Sequence, residues 1–232
     1  MAATPVVFLP GLLEDAEVFA AQAGQLSATA PCRVADLTRD DTIAGMASRA
    51  LDDAPAGKLC IAGHSMGGYV ALEMLRQAPG RIERAAFLCT NARPDPPEST
   101  ENRKRLMALA EKDLPSVVRT LIPKLLTDAH TQDAAMTGAI LRMAERIGTE
   151  AFMRQERAII ARIDSRPHLA AIRCPTLVVA ARHDAIMPVA WLVELAAGIA
   201  GANLAIVEDS GHVPMIEQPA GTTRLLLEWL GG

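Results

Sequence analysis

The sequence predicts an α/β fold, in which a mostly parallel sheet is covered by helices on both faces. Two observations lead to this prediction. Short apolar runs of strand length recur along the chain, and amphipathic helical patterns lie between several of them. Strands that are buried on both faces read as continuous apolar runs, as these segments do. The length of 232 residues suits one large domain of this class.

The strands are predicted from six apolar runs, which cover residues 4–10, 32–37, 58–63, 84–90, 175–181 and 203–208. The clearest helical pattern follows the second run, with apolar residues spaced to share one helix face. Its members are Ile43, Met46, Ala47, Ala50 and Leu51. A second pattern starts near Pro188 and contains Trp191, Leu192, Leu195, Ala196 and Ile199.

One long interval, residues 91–172, contains no convincing strand. It opens with the proline-rich stretch NARPDPPEST, and SRPHLAAIRCP returns the chain to the sheet. Helical stretches are expected near residues 99–112, 114–126, 131–147 and 149–163. We therefore expect residues 1–90 and 173–232 to form a core domain, and residues 91–172 to form a helical cap inserted into it.

Composition argues against several classes of partner. The net charge of −4 gives no basic surface for a nucleic acid, and no apolar stretch is long enough to cross a membrane. The spacing of the cysteines matches neither a zinc site nor a dense disulfide framework. They are Cys32, Cys60, Cys89 and Cys174. We expect free thiols in a cytoplasmic protein.

The stretch GHSMGG, residues 63–68, lies between the third apolar run and the helical pattern YVALEMLRQ. It fits the pattern G-x-S-x-G in the strand–turn–helix context that this motif requires. Such a turn is sharp enough to strain the serine backbone and expose its Oγ, and the flanking glycines leave room for neighbouring backbone. Ser65 is therefore predicted to be a nucleophile.

A nucleophilic serine needs a base, and His212 is the predicted one. It lies in the glycine-flanked loop EDSGHVPMIEQP after the last apolar run, so it can reach the carboxyl edge of the sheet. The other histidines lie in the turn itself, in or near the helical interval, or directly before an aspartate. They are His64, His130, His168 and His183.

Asp184 is the predicted partner of the base, because it follows the strand run 175–181 in ARHDAIMP. Asp209 is nearer to the histidine loop but reads as a turn residue, Asp36 reads as a loop cap, and Asn91 carries no charge. The resulting chain order of serine, aspartate and histidine is the one associated with this type of turn.

Two backbone amides are candidates for an oxyanion hole. Leu12 follows the first strand run and Pro10-Gly11, where a loop can aim its N–H at a developing negative charge. Met66 directly follows the nucleophile and supplies the second N–H.

Four stretches of the chain resemble capped α/β-hydrolases, a family that includes small carboxylesterases, enol-lactonases, perhydrolases and carbon–carbon bond hydrolases. They are FLPGLLEDAEVFAAQ, GHSMGGYVALEMLRQAPGRIERAAFLCT, IRCPTLVVAARHDAIMP and SGHVPMIEQP. The resemblance covers nearly all of the chain outside the cap. It implies Ser65 as nucleophile, His212 as base, Asp184 as acid, and an oxyanion hole from Leu12 and Met66, with neither a metal nor an organic cofactor.

The sequence departs from this family at two points. Pro10-Gly11 replaces the usual His-Gly of the oxyanion loop, which removes a side chain and leaves the backbone donor. The sequence also begins close to the first strand run, with no room for the usual N-terminal hairpin, so we expect an α/β-hydrolase fold with a six-stranded sheet.

The resemblance implies hydrolysis of a small to medium ester or lactone. Two alternatives remain: the same residues could carry out perhydrolysis or carbon–carbon cleavage, or the fold could bind a small ligand without catalysis. Met187 and Met215 are candidate substrate-pocket residues because they lie close to the predicted acid and base. The cap methionines suit a pocket or an ordinary core equally well. They are Met107, Met136, Met143 and Met153. Arg154 and Arg157 are expected on a solvated helix face.

Overall fold

The computed structural model describes residues 3–231 and contains one six-stranded sheet. The strands are β1 (Val6–Leu9), β2 (Cys32–Val34), β3 (Leu59–His64), β4 (Ile82–Leu88), β5 (Thr176–Ala181) and β6 (Asn203–Val207). Their order is β2-β1-β3-β4-β5-β6, and every pair is parallel. The predicted fold class and strand number are confirmed, and the sheet is entirely parallel.

Within residues 3–231, eight α-helices connect and cover the strands. They are α1 (Ala20–Leu26), α2 (Ile43–Asp53), α3 (Met66–Gln77), α4 (Pro97–Leu125), α5 (Ala134–Ile160), α6 (Val189–Gly198), α7 (Pro214–Glu217) and α8 (Pro219–Gly231). Short 3₁₀ helices cover Ala16–Phe19, Pro79–Arg81 and Arg166–Ala171. No helix within residues 3–231 is both long and apolar enough to cross a bilayer.

The sheet divides the hydrophobic core into two layers, because successive side chains of a strand point to opposite faces. In β1, Val7 and Leu9 pack on the side of α2, α3 and α6, whereas Val6 and Phe8 pack on the side of α1 and α8. Burial on both faces explains why the strands are apolar throughout rather than alternating.

The local sequence of α2 determines where this helix begins and which face it buries. Its buried residues are the five that share the predicted face, Ile43, Met46, Ala47, Ala50 and Leu51. Thr42 precedes it in an extended conformation, and its hydroxyl accepts a hydrogen bond from the Gly45 amide, which caps the helix start.

The two long helices α4 and α5 lie between β4 and β5, in the interval where no strand was expected. Each contains one non-helical residue, Asp113 in α4 and Gly148 in α5. The carboxylate of Asp113 accepts the amide of Ser116 and so caps a new helical segment. Gly148 has a φ of 76°, which glycine adopts without steric cost. These two residues separate the four helical stretches expected from the sequence.

The connections leave β1 and β3 in opposite directions across the sheet. The chain runs from β1 outward to the edge strand β2, returns to β3 beside β1, and then proceeds to the other edge. Ligands of open parallel sheets bind at the carboxyl ends of the strands where the direction reverses. The loop after β1 and the turn after β3 meet at this position.

The turn after β3 depends on a close approach between helix α3 and strand β1. A Cβ on Gly67 would lie 1.9 Å from the carbonyl oxygen of Leu9, and a Cβ on Gly63 would lie 2.4 Å from the carbonyl oxygen of Gly67. Both distances are far inside van der Waals contact with backbone that cannot move independently. Glycine at these two positions is therefore a condition for seating the helix against the sheet.

Replacing Gly67 with alanine should lower the free energy of unfolding by more than about 3 kcal/mol, because the added methyl group displaces β1 from α3. Urea unfolding measures the change. Gly24→Ala is the matched control, since a Cβ there meets nothing within 4 Å and the residue lies inside α1. This control should gain about 0.5–1 kcal/mol. Equal effects of the two substitutions would contradict the packing constraint.

Candidate active site

Ser65 lies in the turn between β3 and α3 with backbone angles φ 49° and ψ −115°. A non-glycine residue with positive φ is strained, and the surrounding hydrogen bonds hold this one in place. The Ser65 amide donates to the carbonyl of Leu88 at 3.0 Å, and the hydroxyl of Thr90 donates to the Ser65 carbonyl at 2.8 Å. The side chain is half-buried and borders a cavity.

The structure brings Ser65, His212 and Asp184 together. His212 Nε2 lies 2.9 Å from Ser65 Oγ, and His212 Nδ1 lies 2.8 Å from Asp184 Oδ2. A carboxylate accepts hydrogen bonds only, so Nδ1 carries the proton and Nε2 is free to accept the serine O–H. Pairs of these residues are separated by 28 to 147 positions in the sequence, yet the three side chains form one continuous chain of hydrogen bonds.

Asp184 remains charged despite its burial. Its second oxygen, Oδ1, accepts the amides of Ile186 and Met187, each at 2.8 Å. Burial raises the pKa of Asp184, but its electrostatic interaction and hydrogen bond with His212, together with these two amides, outweigh the effect of burial and lower the pKa below its ordinary value. A charged carboxylate at this position favours the imidazole tautomer described above.

Two backbone amides beside Ser65 have no acceptor within residues 3–231. They belong to Leu12, in the loop after β1, and to Met66, the first residue of α3. The first N–H groups of a helix have no partner within the helix, and its dipole places partial positive charge there. Within the described residues both amides are therefore unpaired, and Leu12 lines the same cavity as Ser65.

His64, which lies in the serine turn itself, joins two loops of the site. Its Nδ1 lies 2.8 Å from Glu14 Oε2, and its Nε2 lies 2.8 Å from the carbonyl oxygen of His212. Glu14 Oε2 also accepts the Gly11 amide at 2.6 Å. Since a carbonyl only accepts, His64 Nε2 carries a proton, and a second proton is shared with Glu14. The pair links the loop after β1 to the loop of His212.

The electrostatics of this pair depend on Glu14. Burial lowers the pKa of His64, but the charge and hydrogen bond of Glu14 and the carbonyl of His212 outweigh it, so that the pKa is raised overall. No sequence motif marks Glu14, which lies 50 positions from its partner. Only the three-dimensional structure reveals the role of this residue.

Residues of α4 and α5 form hydrogen bonds with the same two loops. The His212 amide donates to the Leu125 carbonyl, near the end of α4, at 2.8 Å. Gln155 of α5 is buried; its Oε1 accepts the Leu13 amide at 3.0 Å and its Nε2 donates to the Leu37 carbonyl at 3.3 Å. Helices α4 and α5 therefore support the backbone of the loops that carry His212 and Leu12.

A cavity of about 420 Å³ lies between Ser65 and helices α4 and α5, and this volume is within the range of small-molecule sites. Its floor includes Leu12, Ser65 and His212. Apolar cap side chains form much of its roof, namely Leu106, Val118, Leu121, Ile140, Met143 and Ile159. Among the methionines expected at the pocket, Met187 lines the cavity. Met215 does not: it lies on α7, which turns its side chain into the core beneath the sheet.

The remaining candidate residues lie away from the reactive groups. Asp209 is an exposed turn residue with φ 52°, and Asp36 accepts the Thr38 amide as a loop cap. The Asn91 side chain contacts Met187 Sδ and accepts the Arg93 amide. Arg154 is not on a fully solvated face as expected, because its Nε donates to the Thr38 carbonyl. The four cysteines are free thiols.

A doubly covered parallel sheet with a strained serine turn at the carboxyl end of a central strand defines the α/β-hydrolase class of protein. Residues 6–225 match the model of the alpha/beta hydrolase family, and the chain belongs to that family. The resemblance predicted from the four sequence stretches is confirmed.

Solved structures and a curated relative agree with this assignment. The chain is similar to a thermophilic esterase from Thermogutta terrifontis, with a TM-score of 0.91 and 27% identity, covering 99% of this chain and 90% of that one. It shares the fold of the enol-lactonase from Burkholderia xenovorans LB400, with a TM-score of 0.90 and 24% identity, covering 100% and 93%. A protein named as the carbamate hydrolase RutD, from Azorhizobium caulinodans, is 27% identical over 210 residues, 87% of this chain and 74% of that protein. The protein is a hydrolase.

The His64–Glu14 pair makes stability depend on pH. Because the pKa of His64 is raised in the folded protein, its protonation stabilises the fold. This stabilisation is complete below the unfolded-state pKa of about 6.5 and is lost as the pH rises through the folded-state pKa. Glu14→Gln removes the charge, so burial then lowers the pKa of His64. The stability deficit of this variant, measured by urea unfolding, should be larger near pH 6 than near pH 9.

Glu111→Gln, at an exposed position in the cap, is the control and should show no such pH dependence. If the stability deficit of Glu14→Gln were the same at the two pH values, the charge of Glu14 would not be what raises the pKa of His64.

Proposed function

We propose that the protein is a serine hydrolase that cleaves a carboxylic ester or lactone of small to medium size. The observation that carries this proposal is the hydrogen-bonded series from Ser65 through His212 to Asp184 beside two free amides. This arrangement supplies a nucleophile, a base, an orienting carboxylate and an oxyanion hole. The similarity to a solved esterase supports the choice of an ester substrate.

In the first step, Ser65 Oγ attacks the carbonyl carbon of the ester while His212 Nε2 takes the serine proton. The carbonyl π electrons move to oxygen, and the amides of Leu12 and Met66 stabilise the negative charge. When the tetrahedral intermediate collapses, the carbon–oxygen bond to the alcohol breaks. His212 gives its proton to the leaving oxygen, and an acyl group remains on Ser65.

In the second step, His212 removes a proton from water, which attacks the acyl carbon. Collapse of the second tetrahedral intermediate returns the proton to Ser65 Oγ and releases the carboxylic acid. Asp184 stays ionised throughout and stabilises the imidazolium that forms twice in each cycle. All of these steps use groups of this chain and water.

Ser65 would attack the carbonyl carbon of other substrate classes in the same way, so one panel compares these classes. Purified protein should show its highest kcat/KM on an ester or lactone within a panel that also contains a thioester, a carbamate and an ester with peroxide. A preference for the carbamate would favour the activity named for the relative. Tight ligand binding with no turnover on any member would favour a non-catalytic binding protein.

Ser65→Ala should abolish hydrolysis of a short aryl ester while leaving the fold intact, since only a hydroxyl group is lost. Asp184→Asn should lower kcat by about 10⁴, because an amide no longer holds the productive histidine tautomer. Initial rates measured by release of the aryl alcohol give both values.

Asp209→Asn is the matched control for the aspartate, because this residue is exposed and close to His212 in sequence. It should keep nearly full activity. If Asp209→Asn lost more activity than Asp184→Asn, or if Ser65→Ala stayed within tenfold of the parent, the proposed roles would be wrong.

Because the roof of the cavity is apolar, kcat/KM should depend on the length of the acyl chain. Each added methylene should contribute up to about 0.8 kcal/mol to kcat/KM until the cavity is full, after which the rate should fall. The measurement is kcat/KM across aryl esters from acetate to long-chain acids. A rate that continued to rise through the longest chains would contradict a closed cavity and indicate an open groove.

A further inference from the structure

A buried carboxylate in the cap has one oxygen without a partner. Glu156, on α5, is fully buried and lines the same cavity as Ser65. Its Oε2 accepts a hydrogen bond from Arg103 Nη1 at 2.8 Å, but its Oε1 has no hydrogen-bond partner. Among the described residues, two other buried side-chain atoms share this property, on Gln22 and Trp229, and neither residue lines the cavity. Within this part of the chain, only the unpartnered oxygen of Glu156 belongs to a residue of the cavity.

The carboxylate is held by a fixed charge network. Arg103 also donates from Nε to Asp95 Oδ1 at 3.2 Å, and Arg162 donates to the same oxygen at 2.8 Å. Thr100 donates to the other oxygen of Asp95 at 2.7 Å. The Asp95 and Arg162 side chains are almost wholly buried. Glu156 therefore cannot swing to another partner without breaking this network.

The charges of the network balance when Glu156 is ionised. Two carboxylates, on Asp95 and Glu156, face two guanidinium groups, on Arg103 and Arg162. Burial raises the pKa of Glu156, with Arg103 opposing it through its charge and hydrogen bond. A balanced network has no surplus negative charge for a ligand cation to neutralise. A buried acceptor left unpaired is costly, and a neutral donor removes that cost.

We propose that Glu156 forms a recognition subsite, in which Oε1 accepts a hydrogen bond from a neutral hydroxyl or amide N–H group of the substrate. This inference rests on the proposed function, since the substrate is the ester attacked by Ser65. The subsite selects for a polar group remote from the reacting carbonyl, in a cavity whose roof is otherwise largely apolar. Glu156 sets specificity and takes no part in bond cleavage.

Two matched substrate pairs test the subsite. One pair carries the amide in the acyl part of the ester and the other carries it in the alcohol part. The first pair is the 4-nitrophenyl esters of N-acetyl-β-alanine and hexanoic acid, which have equal chain length and differ by an amide. The second is the butanoate esters of N-(2-hydroxyethyl)acetamide and pentan-1-ol. The readout is the amide-to-alkyl ratio of kcat/KM, with each rate divided by that of uncatalysed hydrolysis.

The parent should prefer the amide member of at least one pair by about fivefold to tenfold, the value of one hydrogen bond in a dry site. Glu156→Gln should abolish that preference, because its oxygen still accepts from Arg103 and its free NH₂ group donates instead of accepting. Glu98→Gln is the matched control: Glu98 is an exposed carboxylate on the wall of the same cavity, and the ratio should not change.

The inference is overturned if the parent shows no amide preference in either pair, or if the preference survives Glu156→Gln. Circular dichroism checks that the variant folds; if it does not, the ratio in the parent decides. The Kd values of the same ligands, measured by calorimetry in Ser65→Ala with and without Glu156→Gln, repeat the comparison without turnover. Failure of the subsite is thereby distinguished from failure of the proposed hydrolysis.

Discussion

The close packing of α3 against β1 is the constraint on which the rest of the site depends. With no side chain at Gly67, the helix backbone comes so near the Leu9 carbonyl that a methyl group would not fit. This contact fixes the turn that holds Ser65 at positive φ, and it brings the start of α3 beside the loop that follows β1. Ser65 and the two free amides are thus positioned by one backbone contact.

The two long helices between β4 and β5 contact the loops of the candidate site as well as lining its cavity. Helix α4 accepts the His212 amide, and α5 places Gln155 against the Leu13 amide. The same α5 carries Glu156 into the cavity wall. A change in α4 or α5 can therefore alter both the shape of the cavity and the position of His212. On the core side, the His64–Glu14 pair connects the same two loops from below.

Much of this arrangement could be predicted because the determining signals are local. An apolar run bounded by turns predicts a buried strand, and a glycine on each side of a serine predicts a tight turn wherever the run ends. Five apolar positions predicted the buried face of α2. The candidates Ser65, Asp184 and His212 each follow a strand run, and parallel strands bring such positions to one edge.

The rest depends on contacts between residues far apart in the sequence. Glu14 lies 50 positions from His64, and Arg103 lies 53 positions from Glu156, with no motif to connect either pair. Met215 shows the opposite error: it is close to His212 in the chain, but α7 directs its side chain into the core. Proximity in sequence predicts proximity in space only when the direction of the intervening backbone is known.

Covalent trapping tests whether Ser65 is a nucleophile activated by His212. The protein is incubated with diethyl 4-nitrophenyl phosphate, which phosphorylates activated serines, and the modified peptide is identified by mass spectrometry. We expect a single diethyl phosphate group on the peptide that contains Ser65, and none on the Ser65→Ala protein. No modification, or modification at another residue while Ser65 stays free, would contradict it.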